Sequence, residues 1–311
     1  MESLHVTLFG KFCAQRGERK LEGFDSQKVQ ELFCYLLLNR RRPHPRETLA
    51  SVLWDHCSTA QSRMYLRRLL WQLQQALHAC TRPEEKDILL VEKDWVHIDP
   101  AADLWLDVAV FEAAYNRVRG VPGELIKHET MQVLRDAVQL YKSDLLENWY
   151  QDWCLFERER LQNMYLAMLD KLVDYCEAHH EYEVGLDYGK RILRIDLARE
   201  HTHRRLMRLL YLAGNRTGAL RQYERCAVVL KEELGVEPAR RTTMLYEQIR
   251  ADQMEEIAEG TRAAASVSGE TSLALPDRLE HIISLQQVIT SVQTHIQHEI
   301  KVIEQALHLR T

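Results

Sequence analysis

The chain has 311 residues, 46% hydrophobic and 28% charged, with a net charge of −5. That is the make-up of a globular protein of two or three domains, and it excludes a collagen-like, disordered or blanket nucleic-acid-coating chain. The charge is uneven: residues 1–82 carry 13 Lys/Arg against 7 Asp/Glu, whereas residues 251–311 carry 4 against 9. A local basic face on an acidic whole is compatible with nucleic acid, because phosphate neutralisation needs only a patch. Seven cysteines, an odd number with no C-x-x-C, point to a reducing compartment and no disulfide framework. The longest apolar run, Leu32 to Leu38, is too short to cross a bilayer, so the expected location is the cytoplasm.

Leu4, Val6 and Leu8 alternate with polar residues and end at Gly10, as in a half-buried strand, and Phe12 to Leu21 is expected to return as its hairpin partner. Ser26 then opens a helix carrying Val29, Leu32, Phe33, Leu36 and Leu37, which Arg40-Arg41-Arg42-Pro43 stops. Pro45 opens a second short helix with Leu49, Val52, Leu53 and Trp54. Ser58 or Thr59 caps a third, running to about Ala79.

In that third helix Leu66, Leu69, Leu70, Leu73 and Leu77 form one stripe, expected to face the core. Gln61, Tyr65, Arg68 and Gln72, spaced 4, 3 and 4 apart, are assigned to the opposite side, with Arg63 and Arg67 on the flanks. Gln and Arg match the hydrogen-bonding edges of adenine and guanine, and Tyr65 suits phosphate or a thymine methyl. Ile88 to Val91 and Trp95 to Ile98 flank Glu92-Lys93-Asp94 as a short hairpin. Three helices followed by a hairpin make a winged helix over residues 1–100, with the third helix, about 59–79, entering the major groove. Arg46 and Lys93 complete the candidate DNA-binding set.

The strings Gln30 to Arg40, Arg42 to Ala50, Leu53-Trp54 and Tyr65 to Leu73 resemble the DNA-binding half of the SARP-type transcriptional activators. The resemblance implies an OmpR-like winged helix with Gln61 through Gln72 in the groove. One departure is that Gln72, Gln74 and Gln75 stand where relatives tend to have arginines.

Residues 103–251 read as helical throughout, with helices at Asp103 to Arg119, Glu129 to Tyr141, Asp152 to His180, Tyr182 to Leu193, Arg199 to Leu212, Thr217 to Leu234 and Arg240 to Arg250. A repeat of 34 residues aligns Gly185 with Ala219, Leu186 with Leu220 and Ile192 with Cys226, the period of a tetratricopeptide-like superhelix. The string Gly218 to Pro238 closely resembles the end of the bacterial transcriptional activation domain that follows the winged helix in SARP-type regulators. Together the two resemblances cover about residues 4–250 and imply binding to double-stranded promoter DNA and contact with RNA polymerase.

Residues 252–276 lose periodicity and read as a linker. Beyond it, residues 277–311 read as one amphipathic coiled-coil helix whose seam holds Ile282, Leu285, Ile289, Val292, Ile296 and Ile303. Pairing through this seam makes a homodimer the expected state. No phosphate-loop, dinucleotide, zinc-protease or nucleophile-elbow motif is present, so neither an enzyme nor a cofactor is expected. Cys176, His179, His180, His201 and His203 match no usual zinc spacing, and no metal is expected. The fold class expected is mainly α with a small β component: an N-terminal winged helix-turn-helix, a central helical superhelix and a C-terminal coiled-coil helix. A second reading, suggested by the acidic overall charge and the missing late arginines, is a helical-repeat signalling adaptor whose winged helix does not bind DNA.

Overall fold

The computed structural model describes residues 3–79 and 86–253. One compact unit runs to Tyr246, and a second begins at Glu247. The expected pairing seam from Ile282 to Ile303 and all but the first two residues of the expected linker lie outside the described residues. No helix among the described residues is long and apolar enough to cross a membrane.

The alternating start of the chain forms β1, Leu4–Thr7. Phe12 to Leu21 supplies two strands rather than one, β2 (Cys13–Arg16) and β3 (Arg19–Lys20), because Gly17 takes a left-handed φ of 59° and reverses the chain there. Then come α1 (Gln27–Leu38), β4 (His44–Pro45), α2 (Arg46–Leu53) and α3 (Thr59–His78). The hairpin follows as β5 (Leu89–Val91) and β6 (Trp95–Ile98). Val29, Leu32, Phe33, Leu36 and Leu37 of α1 are buried, and with Phe24 and the α3 leucines they form the winged-helix core.

The first element after the wing departs from expectation. Leu104–Leu106 is a strand, β7, not the start of a helix, and the helix α4 begins only at Asp107 (Asp107–Val118). β7 pairs parallel to β1, with Leu4 opposite Leu104 and Val6 opposite Leu106. Three residues are too few for a periodic signal; their partner lies about a hundred positions earlier. Among the described residues the strands form a four-stranded sheet, ordered β3–β2–β1–β7, and a three-stranded sheet, ordered β4–β6–β5.

The helical body continues with a 3-10 turn at Gly123–Leu125, then α5 (His128–Leu140), α6 (Asp152–Ala178), α7 (Tyr182–Ile195), α8 (Glu200–Leu212), α9 (Arg216–Leu234) and α10 (Arg240–Ala251). The 34-residue repeat corresponds to the stacked pairs α6–α7 and α8–α9. Its small residues do what their positions require. A Cβ on Gly189 would lie 2.4 Å from Leu206 Cδ2, and one on Gly185 would lie 3.0 Å from the Cys176 Cβ, so α7 reaches its neighbours only with glycine there.

Winged helix and helical body are stitched together. Asp107, buried at the first turn of α4, accepts from the backbone amides of Leu8 and Phe9 at 2.8 and 2.9 Å. Burial raises its pKa, against the pull of those hydrogen bonds. Leu146 N donates to Leu8 O, and Gly10 N to Asp144 O, each at 2.9 Å. The loop that receives them holds Leu146 and Asn148 in the left-handed region, and the Arg158 guanidinium fixes it by donating to the carbonyls of Leu145, Leu146 and Trp149. Glu112 of α4, buried, takes Arg40 from the end of α1 at 2.6 Å and Arg160 of α6 at 2.7 Å. Burial alone would push the Glu112 carboxyl up; the two guanidiniums outweigh it and hold it below its ordinary value. Arg40 and Arg41 are thereby turned partly toward the body: Arg41 also lies 3.7 Å from Glu112.

Candidate nucleic-acid interface

α3 is seated by its ridge: Leu66, Leu69, Leu70, Leu73 and Leu77 are all buried. Ser58 takes the extended N-cap conformation, and its hydroxyl donates to Gln61 Oε1 at 3.0 Å. The side of α3 away from the ridge is exposed. Its outermost line, however, is not the one expected from the sequence. Met64 and Trp71 are 59% and 61% exposed, and Arg67, Arg68 and Gln75 flank them in the open. At 100° per residue, the line Gln61–Tyr65–Arg68–Gln72 lies roughly 110° from the middle of the ridge, whereas Met64 lies opposite it. The correction follows from averaging over the whole buried set, which includes Ser62 and Ala76 as well as the leucines.

The expected line therefore forms one shoulder of the exposed surface. Tyr65, 40% exposed, packs its ring 5.8 Å from that of Trp54 at the end of α2. Tyr65 and Trp54 line a shallow notch of about 240 Å³ together with Arg68, Leu69 and the half-buried Gln72. Lys28 stands over the far side of this cluster, 5.8 Å from the Trp54 ring, and donates to Leu53 O at 2.9 Å. The notch is apolar on the aromatic side and cationic on the Arg68 side.

On the other shoulder, Arg63 is paired with Glu47 of α2. Both side chains are mostly exposed, and such a pair contributes less than about 1 kcal/mol, so phosphate can displace the carboxylate. Arg67 and Arg68 have no ion pair among the described residues. Two neighbouring cations without a counter-charge, on a helix whose opposite side is fully buried, present a concentrated positive field to solvent.

The wing adjoins α2. Arg46 N donates to Asp94 O at 3.0 Å, and its guanidinium makes long contacts of 3.4 Å to the carbonyls of Glu92 and Lys93. Arg46 thus braces the turn from within, while Lys93 stands exposed at its tip. His44, opposite Val96 in β4–β6, is buried against Tyr35, and its Nε2 lies 3.0 Å from Asn39 O. Burial lowers its pKa, so the imidazole under the wing stays neutral near pH 7.

Of the eight positions expected to meet DNA, five (Gln61, Arg63, Tyr65, Arg67 and Arg68) share the exposed part of α3. Gln72 is half-buried in the notch, Arg46 supports the wing and Lys93 caps it. Met64, Trp71 and Gln75 were missed, though the buried stripe itself holds the signal for them. Among the described residues no group of His, Cys, Asp or Glu could hold a metal ion.

Residues 106–250 match the family described as the bacterial transcriptional activator domain. No curated protein matches the chain. Among solved structures, Mycobacterium tuberculosis EmbR in complex with a low affinity phosphopeptide superimposes with a TM-score of 0.61, over 89% of this chain and 73% of EmbR. At 17% identity the likeness is one of fold.

Proposed function

We propose that the chain is a SARP-type transcriptional regulator that reads promoter DNA through α3, a reading supported by the match of residues 106–250 to the bacterial transcriptional activator domain behind a winged helix. The observation that carries this reading is the pair Arg67 and Arg68, exposed and without a carboxylate among the described residues, on a helix locked from behind by five leucines. α3 enters the major groove, Arg68 takes a guanine edge, the Tyr65–Trp54 notch receives a thymine methyl, and Arg63, Arg67 and Lys93 contact phosphates. In this scheme residues 1–100 bind DNA, and residues 103–251 present the helical repeats to RNA polymerase, as the family resemblance implies. Residues 277–311 pair two chains across two half-sites. Light scattering on the full chain and on one cut near Ala274 checks the pairing: an unchanged oligomeric state removes Ile289 and Ile296 from it.

The central test is a gel shift with the upstream region of the protein's own coding sequence. Binding should be sequence-specific and salt-dependent. Absence of salt-dependent binding to any genomic fragment would refute the reading. One observation favours the alternative of a protein-binding adaptor, the two large apolar side chains Met64 and Trp71 in the open. If that reading holds, Trp71→Ala abolishes capture of a protein partner and no DNA complex forms at all.

A further inference from the structure

A second concave surface lies far along the chain from α3, among α7, α8 and α9. It is a groove of about 840 Å³, within the range of small-molecule pockets. Its wall is apolar, built from Leu186, Leu193, Leu206, Leu210, Val228 and Val229. Val228 is 53% exposed despite this, as is Leu197 at the lip, at 52%.

The polar groups in the floor are already engaged. Gln222 and His203 are both buried, with Gln222 Nε2 2.8 Å from His203 Nδ1 and His203 Nε2 2.9 Å from Leu197 O. Burial pushes the His203 pKa down, so this floor is uncharged near pH 7. His203 has no ring nitrogen left for an occupant, and the leucine and valine wall suits an apolar body.

The rim is different. Arg194 from α7 and Arg221 and Arg225 from α9 border the groove, and none has an ion pair among the described residues. Arg225 Nε makes only a 3.5 Å contact to Arg221 O. Lys190 is already matched by Asp187 at 3.2 Å, and Glu224 is the rim's acidic member. Several other arginines of the helical body do find carboxylates: Arg135 with Glu181, Arg199 and Arg205 with Asp170, Arg208 with Glu177. Arg221 and Arg225 stand four residues apart on one helix, where like charges repel. A rim whose three arginines outnumber its one carboxylate, above an uncharged apolar floor, is complementary to an amphiphilic anion.

We propose that this groove is a binding site for a small amphiphilic carboxylate, its hydrocarbon or ring body on the leucine and valine floor and its carboxylate held by Arg194 and Arg225. The site goes beyond the DNA-reading function and supplies a place where a metabolite of that class could bias the repeats. Guanidinium is the suited partner, because it meets a carboxylate with two parallel hydrogen bonds.

The test uses the full chain without DNA, so it succeeds or fails independently of the promoter assay. The probe is 11-(dansylamino)undecanoate, below its micellar concentration. Saturable binding with blue-shifted emission is expected, with displacement by decanoate and about tenfold weaker displacement by 1-decanol, as loss of a charge-assisted contact predicts. Arg194→Ala and Arg225→Ala should each weaken the probe by about tenfold, and Val228→Glu should abolish it; all three positions are exposed, and circular dichroism should stay unchanged. Absence of saturable binding overturns the proposal. So does equal displacement by decanol together with indifference to the arginine variants. A dimer that Val228→Glu dissociates, with no probe bound, would assign the groove to a second copy of the chain and overturn it as well.

Discussion

Arginines serve opposite purposes at the junction between winged helix and helical body and on the outer side of α3. At the junction, Arg40 and Arg160 converge on the buried Glu112, and Arg158 donates to three loop carbonyls. On α3, Arg67 and Arg68 meet no carboxylate among the described residues, and Arg63 meets one that is itself exposed. A buried cation must be matched, since desolvation otherwise exceeds anything it contributes. An exposed one is left unmatched at little cost, and so remains available to an external anion. Matching, rather than basicity, separates the arginines that hold this molecule together from those proposed to read DNA.

The comparison breaks most readily at Glu112. Glu112→Ala strips Arg40 of its short ion pair and leaves Arg160 with Glu157 alone, and because Arg160 is partly exposed unfolding in urea should show a loss of about 2 kcal/mol. DNA affinity measured on the folded fraction should not move. On the other side, Arg68→Ala should leave the melting temperature unchanged while weakening the specific DNA complex by about 1–3 kcal/mol. If Arg68→Ala lowered stability and Glu112→Ala did not, the assignment of roles would be reversed.

Acid separates the two regions next. His44 and His203 have pKa values lowered by burial from 6.5, so each folded imidazole stays neutral while its unfolded counterpart takes up a proton. Their contribution to stability is complete above that ordinary value and is lost as pH falls through it toward the folded value, by at most about 1.4 kcal/mol per pH unit for each group. Glu112, held below 4.5, adds a second loss as pH falls below its ordinary range. Denaturation midpoints from pH 8 to 2.5 should therefore decline in two stages, and His44→Gln should remove part of the first.

The smallest effects fall on single phosphate contacts. Arg67→Ala should reduce the slope of log binding constant against log salt by about 1, uniformly across DNA sequences. Arg63→Ala should do no more, and should alter stability by less than about 1 kcal/mol because its pair with Glu47 is exposed.

Much of this architecture was legible in advance. The α1 and α3 stripes, the hairpin around Glu92 to Asp94 and the 34-residue repeat are periodic signals carried within one or two elements, and each became the element expected. The exposed side of α3 was legible in outline and misaligned in detail. Choosing a polar line by residue type placed Gln61, Tyr65, Arg68 and Gln72 opposite the ridge, where the full buried set puts Met64 and Trp71.

The sequence by itself determined which segments become helices and which side of each is apolar, because that information repeats every three or four residues. The tertiary structure alone decided that Leu104–Leu106 pairs with β1, that Arg40 answers to a glutamate 72 positions away, and that Tyr65 leans on Trp54. Those are contacts between separate elements that no local period links. A lone contact has no period, so nothing local announces it; it exists only once the packed leucines have brought its two ends together.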